Sequence, residues 1–382
     1  MLRRLLIIIQ IGILLISCTG GENIGYDFDH FYYKPRYAKG FEIIGYKDSL
    51  SRTIRIKSAW QGADSVAMDL FIARGGEEPP KGFKGFILDS SAKRLAPLST
   101  THIAMLEMIN REKSIVAVSG GSYSNSKYII ENLGETFDNG RIKDIGNIEN
   151  IDYEVLVKTM PDLVLIYGIN SASIAEKKLE SLGIPYLYIG EYLEENPLGR
   201  SEWLVVMGEL TNSIDASIKE FKMIEKNYNS IKSNVRLKKR PLVMLNAPFG
   251  DTWYMPHNSS AIARLIYDAG GKYIYNSKHS RSMPISIEKA YLLAEKADYW
   301  LDLGQISSIS TLKNTYPHFA EIKCVKNKRI YNPDKILNKN GGNDYWERGM
   351  IRPDLVLADL KNIFTNTDDS LTFYRQLVQG DF

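Results

Sequence analysis

Short apolar runs alternate with amphipathic stretches along the chain beyond about residue 90. The almost wholly apolar runs are 115–118, 163–167 and 185–189. The stretches with helical spacing of apolar residues are 102–110, 153–160 and 175–182. The first pattern is typical of strands buried on both faces, and the second of helices that cover them. This alternation predicts an α/β fold with a mostly parallel sheet.

A longer helical pattern follows, from Pro197 to about residue 237. Its apolar residues, such as Met207, Leu210 and Ile214, recur at intervals of three or four positions. We predict one long connecting helix, on the order of 50 Å from end to end. Two shorter helices or a coiled-coil strand are the alternatives.

The second half of the chain repeats the pattern of the first. Glu154 begins an apolar helix that leads into an apolar strand ending at Gly168, and Glu288 begins the same series ending at Gly304. The spacing within the two units differs by two residues. The repeated order indicates that one α/β lobe is duplicated.

The N-terminus has the pattern of a secretory signal. Arg3 and Arg4 precede an apolar run at 5–16, which is too short to span a membrane comfortably. Ser17 and Cys18 then resemble the end of a bacterial lipobox, in which the cysteine is lipidated. We predict a stable lipid anchor at Cys18. An ordinary signal peptide with a chance cysteine, or an uncleaved anchor, is the alternative.

These patterns divide the chain into five segments. They are a signal peptide at 1–17, a tether at 18–40, an N-terminal lobe at 41–196, a connecting helix at 197–237 and a C-terminal lobe at 238–382.

Composition excludes several classes of protein. The chain has 48 Lys and Arg against 45 Asp and Glu, so it has no basic field of the kind that binds nucleic acid. It has two cysteines, so if Cys18 is lipidated, Cys324 has no partner for a disulfide. Cys324 lies in a strand-like stretch and is predicted to be a buried, inert thiol.

The main rival hypothesis is an α/β enzyme acting on a small polar substrate. The sequence lacks the nucleophile elbow, the P-loop and the zinc-protease motif. Gly120, Gly121 and Ser122 follow a predicted strand, but a turn explains them better than a phosphate loop. The five histidines are scattered, which argues against a site for a bare metal ion. We therefore predict a binding protein with no resident cofactor.

The chain resembles the helical-backbone substrate-binding proteins of ATP-driven importers, the family that binds iron siderophores, haem and vitamin B12. The matching stretches are 144–146, Glu154 with 160–164, 182–185 and 269–271. The resemblance implies two Rossmann-like lobes joined by one long helix. It extends from about residue 93 to residue 360 and leaves 41–86 unexplained.

The ligand of such lobes lies at the carboxyl ends of the strands, where aromatic rings and a few polar groups hold it. The candidates at these positions are Thr100, Tyr123, Tyr167, Trp253, Tyr254, His257, Arg281, Tyr345, Trp346 and Arg348. The arginines would pair with an anionic ligand. Packing between lobes is the alternative for the aromatic residues, and surface salt bridges are the alternative for Arg281 and Arg348.

The resemblance also implies a partner and a location. In the family, one exposed glutamate on each lobe meets arginines of the permease, and Glu154 and Glu288 take these places. The expected protein is lipid-anchored on the periplasmic side of a bacterial cell envelope. It captures an iron complex, either a ferric siderophore or haem, for a permease with its ATPase subunits. Cobalamin is the alternative ligand.

Overall fold

The computed structural model describes residues 30–63, 67–134, 141–250, 252–277, 279, 281–367 and 370–380. The predicted signal peptide and Cys18 lie outside these residues.

The described chain begins with a five-stranded sheet. Its strands are β1 (His30–Tyr33), β2 (Phe41–Gly45), β3 (Arg52–Ile56), β4 (Met68–Ile72) and β5 (Phe86–Leu88). They lie in sequence order and are antiparallel except for the last pair. We call β1–β5 the N-terminal sheet. The predicted tether at 18–40 needs correction, because β1 lies within this range and pairs with β2. It also accounts for the unexplained region at 41–86.

The N-terminal lobe contains a parallel sheet flanked by helices. Its elements are β6 (Leu95–Pro97), α1 (Thr100–Met108), β7 (Ala117–Val118), α2 (Lys127–Asn132), β8 (Leu133–Gly134), β9 (Ile142–Asp144), β10 (Gly146–Asn147), β11 (Asn150–Ile151), α3 (Tyr153–Lys158), β12 (Leu163–Ile166), α4 (Glu176–Ser181) and β13 (Tyr186–Tyr188). The strand orders are β13-β12-β6 and β7-β9-β8, all parallel. A parallel bridge between Leu95 and Ile115 joins the two groups. The prediction of a parallel sheet covered by helices is confirmed.

The connecting segment is not one continuous helix. It forms α5 (Pro197–Glu202), α6 (Leu204–Leu210) and α7 (Ile214–Ser233). The chain turns at Asn212, which has a left-handed φ of 53°, and the N–H of Ser213 bonds to the carbonyl of Gly208 at 2.7 Å. Helices α6 and α7 pack so closely that a Cβ atom at Gly208 would lie 2.1 Å from Ser217 Oγ. The prediction of a single long helix is wrong, and the segment contains three shorter helices where the alternative had two.

The C-terminal lobe repeats the α/β arrangement. Its elements are β14 (Leu242–Leu245), β15 (Thr252–Met255), α8 (Ala261–Asp268), β16 (Lys272–Tyr273), β17 (Met283–Ser286), α9 (Ile287–Ala294), β18 (Tyr299–Leu301), α10 (Ile309–Thr315), α11 (Lys323–Lys326), β19 (Ile330–Asn332), α12 (Pro353–Thr365) and β20 (Arg375–Gln376). The strand order is β16-β14-β18-β19-β20, parallel except for the last pair. A separate antiparallel pair, β15 and β17, lies beside it.

Two apolar clusters form the interior. The larger one runs through the N-terminal sheet, the N-terminal lobe and α5–α7 and continues into β14, α8, β18 and α12, and the smaller one lies within the C-terminal lobe. Cys324 belongs to the smaller cluster but lies in α11, so the strand predicted there is wrong. Its thiol is buried, which raises its pKa to about 12. Within the described ranges, no helix is both long enough and apolar enough to cross a membrane.

Candidate functional site

A cavity of about 350 Å³ lies where α5 meets the carboxyl ends of β14 and β18. We call it the central cavity. Its lining includes Arg200 from α5, Asn246 after β14, Asp302 after β18, and Tyr345 and Trp346 from the segment before α12. This position matches the general rule that α/β sheets bind ligands beyond the carboxyl ends of their strands.

Asn246 and Asp302 occupy equivalent positions on the neighbouring parallel strands β14 and β18. Each is the first residue after its strand, and each has a left-handed backbone, with φ of 64° and 63°. Non-glycine residues in this region store strain, and such strain clusters at functional sites. Asn246 Nδ2 donates to the Tyr254 carbonyl at 2.7 Å, and its own carbonyl accepts from Trp300 Nε1 at 2.6 Å. The two strand ends are therefore fixed in place at the cavity wall.

Arg200 carries a positive charge into the cavity without a matching carboxylate. Its Nε donates to the Glu194 carbonyl at 3.2 Å and its Nη2 to the Tyr192 carbonyl at 3.3 Å, while Nη1 lies 3.5 Å from the sulfur of Met350. It forms no ion pair with a carboxylate of the described chain. Burial lowers the pKa of Arg200, because removal from water disfavours the charged form. The carboxylates of Glu191 and Glu194 oppose this shift, but neither forms a salt bridge with Arg200, so its guanidinium can pair with an anionic ligand.

Asp302 also lines the central cavity, but burial disfavours the charged form of its carboxyl. Burial raises the pKa of its carboxyl to about 7, against a smaller opposing effect from the Tyr374 hydroxyl. That hydroxyl donates to Asp302 Oδ1 at 2.8 Å. Burial therefore shifts the Asp302 carboxyl towards its neutral form, whereas the Arg200 guanidinium provides a positive charge in the central cavity.

The aromatic wall comes from a short π-helix, Tyr345–Gly349. Such helices are rare and occur frequently at functional sites. The Tyr345 ring is buried, and Trp346 meets it edge to face at 4.9 Å. Trp346 is 56% exposed, so a ring face remains available to a ligand. The hydroxyl of Thr101 in α1 donates to the Trp346 carbonyl at 3.2 Å and links this wall to the N-terminal lobe.

Trp253 and Tyr254 lie within the strand β15, although they were predicted to lie at the carboxyl end of a strand. Side chains alternate along β15, so Trp253 is fully buried while Tyr254 is half exposed. The Trp253 ring stacks on Trp300 at 5.5 Å, and its Nε1 donates to the Leu245 carbonyl at 2.9 Å. The prediction that Trp253 contacts a ligand is wrong, because its surface is used in the core. Tyr254 is not part of the central cavity wall.

Arg348 was predicted to pair with an anionic ligand, but it forms a salt bridge within the chain. Its Nε donates to Asp344 Oδ1 at 2.8 Å, four residues earlier. Asp344 is 1% exposed, so this carboxylate is committed to the pair. The hydrogen bonds to Asp344 raise the pKa of Arg348, although burial opposes them. Of the residues near the π-helix, Tyr345 and Trp346 remain as candidates for ligand contact.

The other predicted ligand residues are distributed over both lobes. Thr100 begins α1, Tyr123 is exposed in a turn after β7, and Tyr167 follows β12 with its pKa raised by burial. None of these three lines the central cavity. His257 does line it, and its Nδ1 lies 2.8 Å from Ser259 Oγ. Arg281 lines a second, larger cavity beside the central one.

Glu154 and Glu288 occupy matching positions in the two lobes. Each is the second residue of its helix, α3 or α9, after a capping side chain from Asp152 or Ser286. The side chain of Glu154 is 78% exposed and pairs with Lys158 on the next turn. Glu288 is exposed, and a hydrogen bond from Ser286 lowers its pKa. Both carboxylates therefore point to solvent from helix N-termini.

Arg200, Asn246 and Asp302 are not among the site residues predicted from the sequence. A signal for the last two was present, because each is the first polar residue after an apolar strand, at 242–245 or 299–301. Arg200 gave no such signal, because one arginine in an amphipathic helix is usually solvated.

The fold and the cavity define a two-lobed α/β binding protein. Residues 95–337 match the sequence profile of the periplasmic binding proteins, and the chain belongs to that family. This is a family of substrate-binding proteins and not of enzymes.

Two curated relatives from a single organism are similar to this chain in sequence. An uncharacterized lipoprotein of Methanocaldococcus jannaschii is 27% identical over 283 residues, which span 72% of this chain and 66% of that relative. A second uncharacterized lipoprotein of that organism is 25% identical over 310 residues, which span 78% of this chain and 75% of the relative.

Solved structures share the fold. A possible iron-binding periplasmic solute-binding protein of Staphylococcus epidermidis superposes with a TM-score of 0.57 at 18% identity, covering 72% of this chain and 99% of that one. A periplasmic haem-binding protein of Pseudomonas aeruginosa gives 0.55 at 14% identity, covering 76% and 99%. The periplasmic vitamin B12-binding protein of Vibrio cholerae gives 0.52 at 14% identity, covering 73% and 99%. Identities this low establish the shared fold alone.

Proposed function

We propose that this protein captures an anionic iron complex, a ferric siderophore or haem, in the central cavity and delivers it to the permease of an ATP-driven importer. The observation that carries the proposal is the partly buried guanidinium of Arg200, which lines the cavity and forms no salt bridge with a carboxylate of the described chain. An anionic ligand would supply the missing charge.

The chemistry of the wall fits such a ligand. A guanidinium binds carboxylate or similar oxygen pairs through parallel hydrogen bonds. Two N–H groups of Arg200 are held by backbone carbonyls, so the head group is already oriented. Trp346 adds an exposed ring that would stack on a planar ligand. Proteins of the same fold are named for iron, haem and vitamin B12, which supports a metal chelate as the class of ligand.

The experiment measures binding by the purified protein. Haem, a ferric tris-catecholate, a neutral ferric tris-hydroxamate and cyanocobalamin are titrated separately. We expect saturable binding of an anionic iron complex and a loss of about tenfold or more in affinity for Arg200→Gln, because a buried charge-assisted contact is removed. Arg264→Gln, which changes an exposed arginine of α8, is the matched control and should bind as the unsubstituted protein does.

Three outcomes would reject the proposal. The first is that no iron complex binds. The second is that Arg200→Gln binds as tightly as the control. The third is that cyanocobalamin binds and the iron complexes do not, which would select the alternative ligand.

We also propose that the protein acts outside the cytoplasmic membrane, held by a lipid on Cys18. The relatives named as lipoproteins support this placement. Cys18→Ala should move the protein from the membrane fraction to the soluble fraction or leave the signal uncleaved. An unchanged distribution and unchanged processing would exclude the anchor.

A further inference from the structure

A larger cavity, of about 930 Å³, adjoins the central cavity. We call it the outer cavity. Its wall combines Lys39, Ser58 and Gln61 from the region of the N-terminal sheet with Glu195 from the N-terminal lobe and Arg281 from the C-terminal lobe. The N-terminal sheet therefore reaches the same space as the two lobes, although residues before 95 lie outside the family match.

The two cavities are contiguous. Ser282 lines both of them. Glu195 lines the outer cavity, and its carboxylate lies 3.9 Å from Nδ1 of His257, which lines the central cavity. The same carboxylate accepts from Ser259 Oγ at 3.2 Å. A ligand bound at the central cavity would thus extend directly into the outer one.

The wall contributed by the N-terminal sheet is fixed. The backbone N–H groups of Lys39 and Gly40 donate to Glu194 Oε1, each at 2.9 Å, and the Trp203 indole donates to the same oxygen at 3.1 Å. Gly40 fits so tightly that a Cβ atom there would lie 2.7 Å from the Trp203 ring. The N–H of Gln61 donates to the carbonyl of Ile169 in the N-terminal lobe at 3.2 Å. A wall that is already positioned loses little entropy when a ligand binds.

Two cations, Lys39 and Arg281, and two carboxylates, Glu194 and Glu195, line the outer cavity. Neither the Lys39 ammonium nor the Arg281 guanidinium has a hydrogen-bond or ion-pair partner in the described chain, and both exposed residues line the cavity. The Glu194 carboxylate is occupied by its three N–H donors, and Glu195 is engaged with His257 and Ser259. Two cations thus remain available, in addition to Arg200 in the central cavity.

We propose that the N-terminal sheet is part of the ligand-binding site, and that Lys39 acts with Arg281 to bind the outer anionic groups of the ligand whose inner group meets Arg200. This inference rests on the proposed function, since it assumes that the cleft binds an anionic chelate. Lys39 is then a specificity-determining residue, which favours a ligand with several negative charges over a neutral ligand of the same size. The attraction would be screened by salt, because the outer cavity is open to solvent.

The test uses two iron complexes of similar size and different charge. A ferric tris-catecholate is a trianion, and a ferric tris-hydroxamate is neutral. We expect Lys39→Gln and Arg281→Gln each to lower affinity for the anionic complex by about five- to tenfold, because a charge contact is lost. Affinity for the neutral complex should change less than twofold. The salt dependence of binding should weaken in both variants.

Lys81→Gln is the matched control, because Lys81 is an exposed lysine between β4 and β5 that lines neither cavity. Hydrogen exchange gives a second readout: amides of 58–62 should become protected when the anionic complex binds. If Lys39→Gln matches the control and 58–62 gain no protection while Arg200→Gln loses affinity, the inference is rejected and the proposed function stands. If the unsubstituted protein binds neither complex and no haem, the proposed function and the inference both fail.

Discussion

The carboxylate of Glu202 in α5 accepts the backbone N–H of Ala38 at 2.7 Å, which joins the connecting segment to the N-terminal sheet. The same fully buried carboxylate accepts the N–H groups of Arg36 and Tyr37 at 2.8 and 2.7 Å, and the Tyr33 hydroxyl at 2.8 Å. One buried charge thus satisfies four donors of the segment that leads from β1 to β2. Buried charges are tolerated when they are hydrogen-bonded in this way.

Glu202→Gln should therefore weaken the attachment of the N-terminal sheet. The amide keeps one acceptor oxygen but places an NH₂ group against backbone N–H groups. We expect the free energy of unfolding to fall by about 2–4 kcal/mol. Urea denaturation measures the loss, and faster amide exchange in β1 and β2 would locate it. Glu78→Gln, at an exposed position between β4 and β5, should change stability by less than about 0.5 kcal/mol. Equal stability of the two variants would contradict the role of Glu202.

The two tryptophans predicted to contact a ligand should behave in opposite ways. Trp346→Ala should lower ligand affinity by roughly two- to tenfold, because an exposed ring face at the cavity is lost, and leave stability nearly unchanged. Trp253→Ala should cost about 3–5 kcal/mol of stability, because it empties a fully buried site beside Trp300. Isothermal titration and thermal unfolding of both variants measure the two effects. A stability loss for Trp346→Ala as large as that for Trp253→Ala would place Trp346 in the core.

The contrast between these tryptophans shows where sequence reasoning succeeds and fails. The apolar strands and their helices were predictable because burial on both faces leaves a continuous apolar run, as at 163–167. The burial of Trp253 was not predictable from the sequence, because β15 pairs with the distant β17. That pairing decides which side of the strand is buried.

The break in the connecting helix has a similar cause. The apolar spacing continues through residues 211–213, but α7 reverses to pack on α6, and only tertiary contacts reveal this. Arg200 was likewise hidden, because its importance comes from carbonyls that the fold places around it.

Asp302 should make stability depend on pH between about 4 and 7. Burial raises its pKa from 3.8 to about 7, so in this range the folded protein keeps a proton that the unfolded chain releases. Unfolding is therefore favoured as pH rises through the window, and the effect is absent below it, where both states are protonated. Asp302→Asn should flatten this dependence by at most about 1.4 kcal/mol per pH unit.

Chemical denaturation at several pH values measures this difference. Asp48→Asn, at an exposed position between β2 and β3, provides the control and should follow the unsubstituted protein across the window. The Tyr374 hydroxyl can still donate to the amide oxygen at position 302, so the variant is expected to fold. Parallel pH curves for Asp302→Asn and the control would mean that Asp302 ionises normally.

Glu154 and Glu288 should affect delivery of the ligand and leave its capture unchanged. Both are exposed carboxylates in the first turn of a helix, one on each lobe, and neither lines a cavity described above. The helix dipole favours a negative charge at this position, and arginines of a permease would be steered towards it. The double variant Glu154→Ala with Glu288→Ala should bind the iron complex normally and support slower transport in proteoliposomes that contain the permease and its ATPase. The defect should be greatest at low concentrations of the binding protein, because docking is weakened.

The control removes the same charge from the same lobes at other places. Glu131→Ala with Glu295→Ala changes one exposed glutamate in each lobe, neither of them in the first turn of a helix. Raising the salt concentration should reduce transport by the unsubstituted protein towards that of the Glu154 and Glu288 variant, since screening weakens contacts between exposed charges. Normal transport by the double variant would mean that these glutamates only stabilise their helices. Loss of ligand affinity would instead place both glutamates in the binding site. It would contradict the proposal that the ligand binds in the central cavity.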